Sequence, residues 1–247
     1  MDGKDNGIPV VATLDDAINE GGENRPSHFV IGLATAGGQL NPLARQNVKN
    51  AMSKGLNVDC GLHNFLSEDP EMVSIAGENG VLIRDIRKPP SRDHLHFFSG
   101  KIREVKSFRV AVLGSDSAIG KRTTAWIMTG AFQQAGFKSE IIGTGQTAWL
   151  QGAKFGVIMD SLINDFVSGE IEHAVWSAWD KQKPQVMVIE GQGSLMNPAY
   201  PGGFEILVVA SPHVIICSVM IKTLGIPVFD VLIDGASGLV ETLKRYM

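Results

Sequence analysis

Phe108-Arg109-Val110-Ala111-Val112-Leu113 runs straight into Gly114-Ser115-Asp116-Ser117-Ala118-Ile119-Gly120-Lys121, and a helical pattern leads out from Lys121 to about Ala135. This stretch constrains the fold more than any other. An apolar strand, a loop of the form G-x-x-x-x-G-K and a helix, in that order, bring the loop's N–H groups and the helix N-terminus together on an anion. Glycine lets the backbone approach closely, and a lysine adds a point charge to phosphate oxygens. The pattern therefore predicts a phosphate-binding set of Gly114, Asp116, Gly120, Lys121, Arg122, Thr123 and Thr124. One position departs from the usual motif. The residue after the lysine, ordinarily the Ser or Thr that holds magnesium, is Arg122, and hydroxyls follow only at Thr123 and Thr124.

Pro184-Gln185-Val186-Met187-Val188-Ile189-Glu190 reads as a second buried strand, ending in a carboxylate. An acid at that place beside a phosphate loop ordinarily holds magnesium or a water. Gly191-Gln192-Gly193-Ser194 follows as another loop that permits close backbone approach, with Gly191 and Gly193 added to the expected phosphate-binding set. Between the two strands lies Gly143-Thr144-Gly145-Gln146-Thr147, after the strand Glu140-Ile141-Ile142. Loops at the carboxyl ends of parallel strands line the ligand crevice of such sheets, so Gln146 and Thr147, together with Ser194, are expected to meet a carboxylate or an acyl carbonyl. Asp160 stands in Val157-Ile158-Met159-Asp160-Ser161-Leu162-Ile163, which reads as an apolar helix. There it either pairs structurally or faces the site, since a buried lone carboxylate is costly.

The rest of the chain repeats the rhythm of apolar run, glycine loop and amphipathic stretch, which is the α/β pattern with strands buried on both faces. Strands are expected at Pro9–Val11, His28–Leu33, Asn57–Cys60 and Val81–Ile83, and helices at Leu14–Glu20, Pro42–Lys54 and Pro70–Glu78. Residues 86 to 106 break the rhythm with the turn-rich, charged Lys88-Pro89-Pro90-Ser91-Arg92-Asp93. Two domains are expected, a Rossmann-like one over residues 1–100 and a P-loop one over 101–247. The 247 residues carry 22 Lys plus Arg against 26 Asp plus Glu, a net charge of −4 that gives nucleic acid no overall attraction. No run of 18 apolar residues suggests a membrane span, and the polar N-terminus reads as free of an ordinary signal peptide. The expected setting is the cytoplasm, with a small-molecule substrate and no nucleic-acid or membrane partner.

Cys60 and Cys217 show no metal-ligand spacing and read as free buried thiols. His94 and His96 alternate around Leu95 and would share one side of an extended segment, but no third metal ligand accompanies them. His63 reads as a packed histidine, and Trp176 and Trp179 as core or as a contact between subunits of a homo-oligomer.

Several motifs in order carry a resemblance. Gly32-Leu33-Ala34-Thr35-Ala36-Gly37-Gly38, Gly61-Leu62-His63, His96-Phe97-Phe98-Ser99-Gly100-Lys101, the loop Gly114 to Thr124, Gly143 to Thr147, and Glu190-Gly191-Gln192-Gly193-Ser194-Leu195 with Asn197-Pro198-Ala199-Tyr200 follow one another. Together they resemble the D-glutamate N-acetyltransferase-like family, formerly known only as a domain of unknown function. The resemblance implies a Rossmann-like domain followed by a P-loop domain, and transfer of acetyl from acetyl-CoA to the amine of D-glutamate. It adds Tyr200 to the expected substrate contacts. Measured against the family, this chain lacks a strand and loop before Pro9 and an internal block after Cys217, and it has Asn197 where histidine is frequent.

Acetyl transfer needs a neutral amine, an oriented thioester and donors for the oxyanion. Asp160 or Glu190 is the expected base, and Gln146 or the Gly191–Ser194 backbone the expected oxyanion donor, with the phosphate loop on the CoA phosphates and Arg122 or Lys101 on the amino-acid carboxylates. The second domain also resembles dethiobiotin synthetase, which implies the alternative of an ATP-dependent, magnesium-dependent ligase or kinase. A third reading is a phosphate-ligand-binding module without catalysis.

Overall fold

A computed structural model describes residues 7–33, 38–197 and 201–218. The chain divides into two compact units, Met1–Lys88 and Pro89–Met247.

In the first unit, a three-stranded parallel sheet has the order β1-β2-β3, formed by β1 (His28–Ile31), β2 (Asn57–Cys60) and β3 (Ile83–Asp85). Its helices are α1 (Leu14–Glu20), α2 (Pro42–Ser53) and α3 (Pro70–Asn79). Their starts follow from local chemistry. Thr13, Asn41 and Asp69 each place a side-chain oxygen on an early helix N–H, and proline opens both α2 and α3, where its missing N–H costs nothing. Gly80, in the left-handed conformation at φ 64°, ends α3. Val48, Met52, Val58, Cys60, Leu66 and Met72 form the core, and burial pushes the Cys60 thiol up to about 11.

Two expectations shift here. Pro9–Val11 joins no strand and Val10 is fully exposed: a short apolar run without a neighbouring strand has no ladder to enter. The third strand begins at Ile83 rather than Val81, and it carries Asp85, whose carboxylate accepts the N–H groups of Leu66 (3.0 Å) and Ser67 (2.7 Å).

The second unit holds β4 (Phe108–Gly114), α4 (Lys121–Gln134), β5 (Ser139–Gly143), α5 (Gln146–Leu150), β6 (Phe155–Gly156), α6 (Asn164–Gln182), β7 (Val186–Glu190), α7 (Gly202–Ala210) and β8 (Val214–Ser218). All strands pair in parallel, in the order β6-β5-β7-β4-β8. The period of two is plain along β4 and β7. Val110, Val112, Val186 and Val188 pack with Met128 and Phe132 of α4 on one face. Ala111, Leu113, Met187 and Ile189 pack with Ile171 and Val175 of α6 on the other. A sheet covered on both faces reads as a continuous apolar run, which is why these strands stand out in the sequence.

Residues 89–100, grouped by sequence with the first domain, pack within this second unit, where His96 and Ser99 meet α6. Val157–Ile163 is not a helix. After the short β6 the chain makes a 3₁₀ turn, Met159–Ser161, with Met159 buried and Asp160 exposed. Five apolar residues around one acid mimic a helical period, but Val157 donates its N–H to the Gly143 carbonyl (2.8 Å) and holds the start of the segment to β5.

Candidate functional site

β4 delivers Gly114 to the carboxyl edge of the sheet, and the chain then loops through Ser115–Gly120 into α4. Gly120 caps that helix at φ 89°, a left-handed backbone that a side chain would strain. Lys121, the first helical residue, is only 7% exposed. Its ammonium donates to the carbonyls of Asp116 (2.6 Å) and Gly193 (2.7 Å), tying the phosphate loop to the loop after β7. Burial pushes the Lys121 pKa down, against the opposing pull of Asp116 and Glu190.

Glu190 ends β7 beside Val112 of β4 and is 5% exposed. Its Oε2 accepts the Thr144 N–H (2.9 Å), while the Thr144 hydroxyl donates to the Glu190 carbonyl (3.0 Å). Burial raises the Glu190 carboxyl above its usual range; the Thr144 N–H and the charges of Arg122 and Lys121 oppose that rise without cancelling it. The next residue has to be glycine. A Cβ at Gly191 would overlap the Val112 carbonyl oxygen and come within 3.0 Å of the Lys121 side chain.

A cavity of about 510 Å³ opens between these loops, within the range of small-molecule sites. Gly120, Lys121, Arg122 and Thr123 line one side and Glu190, Gly191 and Gly193 the other. Seven residues expected from sequence thus converge. Ser117, Ala118, Ile119 and Gln192 complete the lining.

The other expected residues lie around the cavity rather than on it. Gly114 is packed against Ile119 beneath the loop. Asp116 accepts the Ser117 N–H (2.7 Å) and the Asn197 amide (3.3 Å), so it shapes the loop. Thr124 is buried and donates its hydroxyl to the Gly120 carbonyl (3.1 Å). Ser194, 1% exposed, donates to the Ser115 carbonyl (2.6 Å) and accepts the N–H groups of Met196 (2.9 Å) and Asn197 (2.8 Å); its hydroxyl holds two loops together. Gln146 and Thr147 open α5, half-buried, and Gln146 Oε1 is buried with no hydrogen-bond partner among the described residues. Asp160 stands exposed on its 3₁₀ turn and does not line the cavity. Tyr200 falls outside the described residues.

Thr144 joins the candidate site without a signal in the sequence: it is one polar residue in the loop Gly143–Thr147, and its partner Glu190 comes 46 residues later. The histidines resolve differently from their spacing. His94 closes the 3₁₀ turn Arg92–His94, whereas His96 places both its backbone N–H (2.7 Å) and its Nδ1 (2.8 Å) on Glu170 and stacks on His173 at 3.6 Å. Lys101 lies over the Trp176 ring at 4.4 Å, away from the cavity lining. Cys60 is buried, but Cys217 is exposed on β8.

Family models for a Rossmann-like domain of unknown function, DUF1611_N, and a P-loop domain of unknown function, DUF1611_C, match residues 1–89 and 96–223. The chain belongs to the DUF1611 family. A crystal structure of a DUF1611 family protein from Anabaena variabilis superposes with a TM-score of 0.75 at 30% identity, over 85% of this chain and 58% of that one. Two curated relatives are both named D-glutamate N-acetyltransferase. The protein from Tritonibacter scottomollicae is 32% identical over 89% of this chain and 63% of its own length. The protein from a Pseudoalteromonas species is 31% identical over 80% of this chain and 57% of its own. The chain therefore spans about three fifths of the length of the relatives it matches.

Proposed function

We propose that this DUF1611 chain belongs to an N-acetyltransferase that moves acetyl from acetyl-CoA to the amine of D-glutamate or a closely similar amino acid. The name shared by the two curated relatives carries the reading, and the cavity supplies parts that suit it. CoA brings a diphosphate, and the fit rests on the loop that meets it. Gly120 and Gly191 keep side chains out of the cradle, and Lys121 and Arg122 place two cations on its wall. CoA when bound supplies the acetyl group as a reactive thioester.

In the reaction the amine nitrogen bonds to the thioester carbonyl carbon, the carbon–sulfur bond breaks, and sulfur leaves as a thiol with a proton. Glu190 takes the proton that the ammonium must lose. Burial raises its pKa and so strengthens it as a base, and Thr144 fixes its orientation. The Gly191–Gly193 backbone supplies oxyanion donors from the cavity wall. The test is thiol release from acetyl-CoA by the purified chain, with D-glutamate, L-glutamate or no acceptor. D-glutamate-dependent thiol release, with the N-acetyl product identified by mass, is expected. Hydrolysis of magnesium-ATP with no acceptor-dependent thiol release overturns the reading in favour of a ligase or kinase.

A further inference from the structure

We infer that the phosphate-loop cavity takes the diphosphate of its ligand without a divalent cation, with Arg122 supplying the positive charge that magnesium gives other phosphate loops. The inference rests on the reading of the cavity as an acetyl-CoA site and adds the ionic form in which the ligand is held. It starts from the oxygen donors. A magnesium ion in such a loop is ordinarily held by the hydroxyl after the lysine and by the acid at the neighbouring strand end. The first is missing here and the second is partly engaged. The first position is Arg122, and the Thr124 hydroxyl, two residues further on, is buried and donates to the Gly120 carbonyl at 3.1 Å. At the second, Glu190 is 5% exposed and its Oε2 accepts the Thr144 N–H at 2.9 Å, which engages one of its two carboxylate oxygens. Asp116 has its carboxylate on the Ser117 N–H and the Asn197 amide and its carbonyl on Lys121. Thr123 and Ser117 are left as exposed hydroxyls on the cavity wall. Magnesium demands near-octahedral oxygen coordination and is ordinarily held through carboxylates, so two neutral hydroxyls are a poor anchor for it.

The cations argue in the same direction. Arg122 lines the cavity half-buried and makes no hydrogen bond or ion pair with a described residue. A guanidinium presents a planar fork that matches phosphate oxygens in pairs, and it repels a dication brought alongside. Lys121 adds a second charge on the same wall. The two together neutralise most of a diphosphate, which makes a metal superfluous rather than merely absent from the motif.

The experiment is calorimetric titration of the full chain with CoA and, separately, with inorganic pyrophosphate, each in EDTA and in excess magnesium. Equal affinity in the two buffers, within about twofold, is expected for both probes. Arg122→Thr restores the missing hydroxyl and removes the charge. It should weaken binding in EDTA by about tenfold or more, as for loss of a charge-assisted hydrogen bond, and magnesium should recover part of the loss. Arg122→Lys should fall between. A melt of each variant by circular dichroism verifies folding, and a half-exposed site should tolerate both changes. Binding of CoA only in magnesium overturns this inference and leaves the acetyltransferase reading standing. Pyrophosphate binding in EDTA without any CoA binding upholds the inference and sinks the acetyl-CoA reading. Failure of both probes in EDTA overturns the inference.

Discussion

Glu172 offers the sharpest test of what holds the P-loop unit together. It lies on α6, 2% exposed, and its carboxylate accepts the Ser99 N–H (2.7 Å), the Ser99 hydroxyl (2.8 Å) and the Ile102 N–H (3.1 Å). It therefore clamps the turn that leads into β4. Burial pushes its carboxyl up, but these donors outweigh burial and hold it below the usual range. In Glu172→Ala the buried Ile102 N–H is left unsatisfied, at a cost of about 1–3 kcal/mol. Ser99 is exposed and rehydrates, so only the net worth of a charge-assisted bond is lost there, about 1.5–3 kcal/mol. The sum, about 2.5–6 kcal/mol, lowers the melting temperature on the order of 10 °C for a unit of this size. Glu172→Gln keeps one acceptor and should lose about half as much. The pH dependence has a definite sign. A carboxyl held below its ordinary value of 4.5 contributes stability that is complete above that value and lost as pH falls through the lowered one. The gap between wild type and Glu172→Ala in scanning calorimetry should therefore close as pH drops below 4.5. A variant melting within about 2 °C of wild type near neutrality, or a gap indifferent to acid, would refute the clamp.

Other outcomes follow from the same geometry. Gly191→Ala should destabilise by about 1–3 kcal/mol through overpacking and also weaken CoA binding, because its Cβ is pressed on the Val112 carbonyl and the Lys121 side chain. Gly120→Ala meets nothing within 4 Å and should cost only its left-handed strain, about 1–2 kcal/mol; urea denaturation read beside calorimetric titration separates the two. Glu190→Gln should cut acetylation by about 10²–10⁴-fold while changing stability the opposite way. Because its folded pKa is raised, the wild-type carboxyl favours folding below 4.5 and loses that advantage as pH rises, so the variant should gain on wild type toward neutral pH in parallel melts. Ser194→Ala removes one donor to Ser115 and one acceptor for Met196 and Asn197. A loss of about 1–3 kcal/mol, seen by denaturation, is expected, and an unchanged midpoint would show that the two loops are not joined through this hydroxyl.

The cavity was legible in the sequence wherever its parts are local. Gly114 to Lys121 between a strand and a helix is a single continuous string, and Glu190 announces itself by closing an apolar run. Buried strands are legible for the same reason: with both faces covered, β4 and β7 carry few polar residues to confuse the pattern. What the sequence hid is tertiary. Thr144 is one polar residue among several in its loop, and only the pairing of β5 with β7 brings it to Glu190. Glu172 looks like a solvated helix carboxylate until the turn at Ser99–Ile102 is laid across it. Asp160 misled in the opposite sense, because apolar residues flanking an acid fit a helical period equally well when the chain makes only a single 3₁₀ turn. Ser194, expected at the substrate, is spent on two loops, a use that hydroxyl chemistry alone does not reveal.

The sheet order has a kinetic consequence. β4 and β7 lie side by side at the centre, yet about 70 residues of chain separate them, and Lys121 reaches the Gly193 carbonyl across a comparable span. Joining such distant segments requires closing a long loop before any contact rewards it, and non-local parallel pairing of this kind slows folding. The anion cradle is therefore among the last features to mature: its glycine loop leaves the ribosome well before the carbonyl that will fix its lysine. A pulse-labelling exchange experiment should find the α4 amides protected late, together with those of β7 rather than ahead of them.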